Sequence, residues 1–315
     1  MAASACTRQT GSAGVNQRSP GVCQMTRARS RASSPATRAR SAEPRAPWTR
    51  PRGDPCIRHT FDVDWTALLS HVAGGTMSHR SLSGSHVVVL GASGVLGGYL
   101  ARALAGRGAG VTGVGRDGQR LGALVDSLPT DGPDGPLRHG WIGGDLTDAG
   151  LGDRLVEHLR SGPGRLDGIV NAAGVVAFGS LVDTPDEVVE ELFLTNVVGP
   201  LWLLRRTLPL LVDSRGFVAQ ISGVVADRPT AGMAAYGASK AALAAADRAL
   251  GLELRRSGVA VVDLRVPHTE TGLVGRALAG AAPRLPQGLD PAAVAERIVA
   301  GIEEGTPVVP AEAFA

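Results

Sequence analysis

At 315 residues, 43% of them hydrophobic, the chain has the length and composition to bury one large core or two modest ones. Its formal charge of +3 is unevenly placed: residues 1–80 hold 12 arginines against four acids, whereas residues 81–315 hold 20 cations against 25 acids, so the basic balance gives no support to a nucleic-acid role for the whole protein. The only cysteines, Cys6, Cys23 and Cys56, all lie before residue 80, so the body has no disulfide framework, thiol nucleophile or cysteine-based zinc site, which suits a cytoplasmic setting.

The leader, residues 1–80, is rich in Arg, Ser, Ala, Pro and Gly and lacks apolar periodicity before residues 61–72. It reads as a disordered basic arm, as a targeting segment, or as sequence upstream of the true start. Gly74-Gly75-Thr76 precedes Met77, and paired glycine codons can spell a ribosome-binding sequence just ahead of an ATG. No secretory signal pattern occurs, and nothing reaches the roughly 18 apolar residues of a membrane span.

The body, residues 81–315, alternates short β-branched runs with amphipathic stretches. Residues 87–90 form the first expected strand, followed directly by Gly91-Ala92-Ser93-Gly94-Val95-Leu96-Gly97, which opens a helix through Arg107. Glycines there let the backbone turn tightly and approach a pyrophosphate, whose charge is favoured at a helix N-terminus. The second strand, residues 110–114, ends in Val114-Gly115-Arg116. An acid at this place would suit the ribose hydroxyl of NAD, whereas Arg116 suits the additional phosphate of NADP; neighbouring Asp117 keeps NAD open as the lesser reading.

The third strand, 137–142, leads into Gly144-Asp145-Leu146 and a helix over 151–159. The fourth, 166–171, ends in Asn171-Ala172-Ala173-Gly174, and a long helix over 188–211 carries Asn196. The fifth, 216–222, ends at Ser222, ahead of a helix over 234–256. The sixth, 259–266, runs into Pro267-His268-Thr269-Glu270-Thr271, and a short seventh covers 307–309. Strands that are apolar throughout are buried on both faces, which predicts a single-domain, doubly wound α/β fold of about seven parallel strands, Rossmann-type, with ligands beyond the carboxyl ends of the strands.

Lys240 is the only lysine among 32 Lys and Arg residues, and it follows by four positions one of only two tyrosines, in Tyr236-Gly237-Ala238-Ser239-Lys240. On a helix the two share a face. An ammonium beside a phenol lowers the tyrosine pKa from about 10 and makes it a usable acid or base. A solvated helix face is the plainer alternative for this spacing.

These residues together resemble the short-chain dehydrogenase/reductase family over essentially all of 85–315. The resemblance rests on Tyr236 and Lys240, the Asn171-Ala172-Ala173-Gly174 turn, Asn196, Ser222 and Asp145. It implies that Tyr236 exchanges the proton at the reacting oxygen and that Ser222 hydrogen-bonds that oxygen. Lys240 would bind the nicotinamide ribose and depress the tyrosine pKa, and Asn196 would anchor the water of a proton relay. Asp145 would contact the adenine, and Thr271 would lie near the nicotinamide carboxamide. Two features depart from the single-domain branch: the glycines are spaced as in the extended, epimerase-like branch, and His268 stands where glycine often follows proline.

The resulting expectation is an NADP-preferring oxidoreductase interconverting a secondary alcohol and a ketone, with no metal, no nucleic acid and no membrane. The substrate would lie between residues 175–181, 224–235 and 268–287, with Arg228 and Arg284 as anchors for an acid group. A homodimer or homotetramer is expected through the two long helices, whose small and apolar residues exceed what one sheet face can cover. Two rival readings are a non-redox lyase or epimerase on the same scaffold and a cofactor-sensing binding protein without turnover.

Overall fold

The first strand, β1 (His86–Leu90), has every residue buried. A β-branched run buried on both sides needs a neighbour at each edge and a helical layer on each face. The computed structural model, which describes residues 79–315, supplies both. The leader's cysteines, its alternative readings and the start expected at Met77 lie outside the described residues.

In chain order the elements are β1, α1 (Val95–Gly106), β2 (Gly110–Gly115), α2 (Gly118–Asp126), β3 (Asp131–Gly132), β4 (Gly135–Pro136), β5 (Gly140–Gly143), α3 (Leu151–Ser161) and β6 (Gly168–Asn171). There follow α4 (Asp186–Phe193), a π-helical segment (Leu194–Val198), α5 (Gly199–Ser214), β7 (Phe217–Ile221), α6 (Ala234–Leu254), β8 (Ala260–Leu264), α7 (Pro291–Glu304) and β9 (Val308–Val309). Seven strands form one sheet in the order β5-β2-β1-β6-β7-β8-β9, and β3 and β4 pair as a separate small hairpin. All six pairings of the large sheet are parallel. The strand order reverses between β1 and β6, and the crevice beyond their carboxyl ends is where such sheets bind ligands. The expected doubly wound α/β architecture is the observed one.

Two apolar layers hold the helices to the sheet. On one face Leu100 and Leu104 of α1 and Ile298, Val299 and Ile302 of α7 pack with Val87, Val89, Val111 and Leu264. On the other, Leu155 and Leu159 of α3 and Leu203, Leu204 and Leu211 of α5 pack with Val88, Leu90, Ile169 and Val218. Each such side chain taken from water contributes roughly 1.5–3 kcal/mol. Local signals agree with the packing. Asp290 caps α7 by accepting from the Ala293 amide at 3.2 Å, Pro291 occupies its first turn, and Gly305 ends it at φ 67°.

The second face is not apolar throughout. Side chains alternate along a strand, so Val218, Gln220 and Ser222 share that face of β7, and Val261, Asp263 and Arg265 share it along β8. Gln220, Ser222, Asp263 and Arg265 are all buried. Above them lies α6, which carries Tyr236 and Lys240.

Candidate active site

The turn after β1 is built to bring backbone close to backbone. Gly91 has φ 78°, and a Cβ there would lie 2.8 Å from the Ala173 nitrogen. At Gly97 a Cβ would lie 2.2 Å from the Gly91 carbonyl oxygen, so no other residue lets α1 start so near the turn. Helix α1 is preceded by Gly94, has no side-chain cap and carries no acid in its first turn. Its first amides, at Val95 and Leu96, therefore meet no side-chain acceptor, and the positive end of the helix dipole adds to them. This arrangement fits the pyrophosphate of a dinucleotide.

Beyond β2 the Arg116 side chain is 74% exposed and stands 3.7 Å from Asp145. Asp117 caps α2 by accepting from the Arg120 amide at 3.0 Å and pairs with the Arg120 guanidinium at 3.3 Å, so the nearest acid is already engaged. Asp145 accepts from both the amide and the hydroxyl of Thr147 at 3.0 Å, which shapes the turn after β5, while Leu146 is buried with its carbonyl against Gly199.

At the end of β6, Asn171 is 2% exposed, donates to Gln220 at 3.1 Å and accepts from the Ala173 amide at 3.2 Å. It fixes the turn that carries Ala172, Ala173 and Gly174. Asn196 sits in the π-helical segment, almost wholly buried. Its amide accepts from the Val175 nitrogen at 2.9 Å and donates to the Val175 carbonyl and to Ser239 Oγ, both at 3.0 Å. Ser239 in turn donates to the Tyr236 carbonyl at 2.7 Å. Asn196 thus joins the β6 loop to the first turns of α6.

Lys240, 5% exposed, donates from Nζ to the Ile221 carbonyl at 2.8 Å. Gly174 flanks both groups: a Cβ there would lie 3.1 Å from Asn196 Oδ1 and 3.3 Å from Lys240 Nζ. Asn196 and Lys240 therefore meet beside Gly174 beyond the ends of β6 and β7, and Tyr236 lies one turn before Lys240 on α6. The expected depression of the tyrosine pKa is not what this arrangement gives. Burial pushes the Tyr236 phenol up to about 12, and burial also pulls Lys240 down to about 8 against the attraction of Asp247 and Asp263. The ammonium is bonded to a backbone carbonyl, and desolvation of the phenol dominates.

Ser222 is the clear departure from the sequence expectation. Its side chain is wholly buried, and its hydroxyl donates to Asp263 Oδ1, with the Leu264 carbonyl at 3.5 Å. Strand alternation aims it at β8 and not into the cleft, so it does not join the group around Tyr236. We expect Ser222→Ala to lower turnover less than about tenfold, well short of the hundredfold or more of a group acting on the reacting oxygen. It should cost about 1–3 kcal/mol of stability by leaving Asp263 short of a donor. Steady-state kinetics beside urea unfolding would check both.

The partners of Ser222 were not anticipated. Asp263 pairs with Arg265 at 2.8 Å, and Arg265 reaches Asp227 at 3.0 Å. Asp247, on α6, accepts from Gln220. Charged residues at alternate positions of a strand otherwise buried on both faces were the available signal.

After β8, residues 268–289 are fastened at several points. Leu289 donates to the His268 carbonyl at 2.9 Å, Glu270 to the Leu289 carbonyl at 3.0 Å, and the Gly288 amide to the Glu270 carboxylate at 2.7 Å. Leu278 donates to the Val176 carbonyl at 2.8 Å and Phe178 to that of Ala279 at 2.9 Å. The segment that carries Pro267 and Thr271 is thereby laid across residues 176–178. His268 lies 3.7 Å from Glu270, and Arg228 is paired with Glu312. Arg228 is therefore not a free anchor for a substrate acid; Arg284 lies on the fastened segment.

Residues 85–281 match the family model described as short chain dehydrogenase. The chain is 31% identical over 196 residues to a short chain dehydrogenase of Pseudocercospora fijiensis, a match covering 61% of this chain and 62% of that one. It thus spans less than two thirds of that relative. It is 29% identical over 199 residues to the 2,3-dihydro-2,3-dihydroxybenzoate dehydrogenase of Bacillus subtilis, covering 62% and 74% of the two chains. A short-chain dehydrogenase from Sphingobium yanoikuyae, solved in complex with NADPH, superposes with a TM-score of 0.64 at 29% identity over 72% of this chain and 87% of that one. Among the described residues no helix is long and apolar enough to cross a membrane, and no group of His, Cys, Asp and Glu is arranged to hold a metal ion. From the parallel sheet, the glycine turn at its switch point and these matches, the chain belongs to the short-chain dehydrogenase family.

Proposed function

We propose that the protein interconverts a ketone and a secondary alcohol, with Tyr236 exchanging the proton at the reacting oxygen and NADP preferred over NAD. The observation that carries this reading is the meeting of Lys240 and Asn196 beside Gly174, with Tyr236 one helical turn before the lysine. The nicotinamide dinucleotide, when bound, supplies or accepts the hydride. A phenol raised to about 12 is protonated at neutral pH, the form that a proton donor to the reacting oxygen requires. Lys240 would meet the nicotinamide ribose hydroxyls from its place at the Ile221 carbonyl. The amide of Asn196 holds the β6 loop against α6, and the remaining acceptor capacity of its Oδ1 is what could order a relay water.

The cofactor contacts in this reading run from Gly91, Ser93 and Gly94 through Leu96 and Gly97, continue at Asn171 to Gly174, and close with Pro267 and Thr271. Ser222 is left out because its hydroxyl is held by Asp263. Oxidation of NADPH by the full chain against a broad panel of ketones and aldehydes tests the reading, and no turnover with any of them while cofactor binds would favour a sensing role.

NADP preference rests on the exposed guanidinium of Arg116 and on the engagement of Asp117 by Arg120. Arg116→Asp exchanges a partner for phosphate for a partner for the ribose hydroxyl. The ratio of kcat/KM for NADPH over NADH is expected to fall in that variant; an unchanged ratio would move the selectivity elsewhere, Arg120 being the next cation along. Assembly through α5 and α6 belongs to the same reading, since Val212 and Leu252 on these helices stay exposed.

A further inference from the structure

Four charged side chains lie inside the sheet's second face, where its apolar pattern breaks. Lys240 and Asp247 come from α6, two turns apart on one side of the helix, and Asp263 and Arg265 come from alternate positions on and just after β8. None is more than 5% exposed. The cluster balances two cations with two carboxylates, and polar groups hold the carboxylates in place. Gln220 donates to Asp247 and accepts from Asn171 at 3.1 Å. Asn171 accepts from the Ala173 amide, so one chain of bonds joins Asp247 to the turn beside Gly174, which flanks Lys240. On the other side Asp263 takes the Ser222 hydroxyl and pairs with Arg265, which reaches the half-exposed Asp227.

Buried carboxylates are disfavoured unless something nearby needs their charge. Arg265 accounts for Asp263 in part. It also favours the charge of Asp247, but the Oδ2 of that carboxylate has no hydrogen-bond partner although the residue is 2% exposed, and a second cation shares its helix. What lies nearby is a lysine removed from water.

We infer that Asp247 and Asp263 are positioning residues for Lys240: held by Gln220, Ser222 and Arg265, the two carboxylates keep the ammonium charged inside the fold, at the Ile221 carbonyl, where the chemistry of Tyr236 uses it. The inference rests on the role given above to Tyr236 and Lys240. Burial alone drives the lysine toward its neutral form, and the attraction of Asp247 and Asp263 works against it. Other ionisable or charged groups around the cluster are Tyr236 and Arg248 on α6, Arg265 after β8, and Asp227 in the loop after β7. Arg248 and Arg265 act on Asp263 by stabilising its charge, and Asp227 opposes them.

Removing either carboxylate takes away an attraction for the charged lysine, so Lys240 should lose its proton at lower pH. Because Lys240 is the only lysine, the full chain grown on lysine labelled at Cε and Nζ gives one lysine side-chain signal, which can be titrated directly by NMR. In Asp247→Asn and in Asp263→Asn the midpoint is expected about one pH unit or more below that of the wild type, with the alkaline limb of the kcat profile moving alongside. Asp247→Asn is nearly isosteric and still accepts from Gln220, so it decides alone if Asp263→Asn fails to fold once Arg265 loses its partner. A purely structural role would lower the melting temperature and leave the midpoint where it was, which overturns the inference. The midpoint is read without turnover, so it stands apart from the proposed reaction, which fails instead if Tyr236→Phe stays active.

Discussion

Tyr236→Phe and Lys240→Arg are each expected to lower turnover by at least about a hundredfold, the low end of what a positioned general acid contributes. The phenylalanine keeps the packing of the ring and removes the only proton it could give. Cofactor binding should survive in that variant. Arginine at 240 keeps the charge and loses the shape. The slot between the Ile221 carbonyl, 2.8 Å from Nζ, and Gly174 admits a compact ammonium; a planar fork with a longer reach cannot occupy it without moving the β6 loop. Steady-state kinetics on an active carbonyl, with circular dichroism to verify the fold, is the measurement. Near-wild-type turnover in either variant would return the pair to being an ordinary helix face.

Unfolding should show a comparably large dependence on pH at a place far from the cleft. His86 opens β1, is 4% exposed, and shares a 2.8 Å hydrogen bond between its Nε2 and the Thr112 hydroxyl. Burial pulls its pKa down to about 4, with the nearby His139 and His158 acting the same way and Asp167 opposing. The unfolded chain therefore takes up this proton first. The stability His86 confers as a neutral side chain is complete above about pH 6.5 and is lost as the pH falls toward 4, a change of about 3 kcal/mol. Asp247 works in the opposite direction, since burial raises its carboxyl to about 7 and the folded state binds that proton first. The informative quantity is thus a difference between variants. Between pH 7 and 4.5 the unfolding free energy of His86→Gln should decline by about 2–3 kcal/mol less than that of the wild type, by urea titration at each pH. Parallel curves would show that the histidine is hydrated in the folded chain.

The sheet was legible because most of its strands are apolar runs buried on both faces, β5 at the edge excepted, and every expected strand overlaps an observed one. Helix α7 was legible too but went unread: Asp290 and Pro291 mark its start and Gly305 its end. The hairpin of β3 and β4 has two residues per strand, too few for any periodicity to register. At the site, glycines and amides were readable because their roles depend on backbone position, which strand order sets. Ser222 was misread because its role depends on which way a side chain faces. Counting alternate residues back from it through Gln220 to Val218 would have placed it on the buried side. Asp247 gave no local sign, since its meaning depends on Gln220 and Lys240, which only the folded chain brings near.

The π-helical segment Leu194–Val198 has a bearing on how this chain can change length. It inserts one residue more per turn than the helices on either side, and it is continuous with both, so α4 and α5 run on nearly without a break while their faces are set out of phase. Removing that one extra residue would let α4 and α5 run on as a single regular α-helix and would close the widened turn that carries Asn196. Asn196 would then lose its two bonds to Val175, while Leu203, Leu204 and Leu211 could stay on the sheet. The extra residue is thus one the helix could lose and the site could not, which ties the length of this segment to the position of Asn196 and not to the stability of the fold.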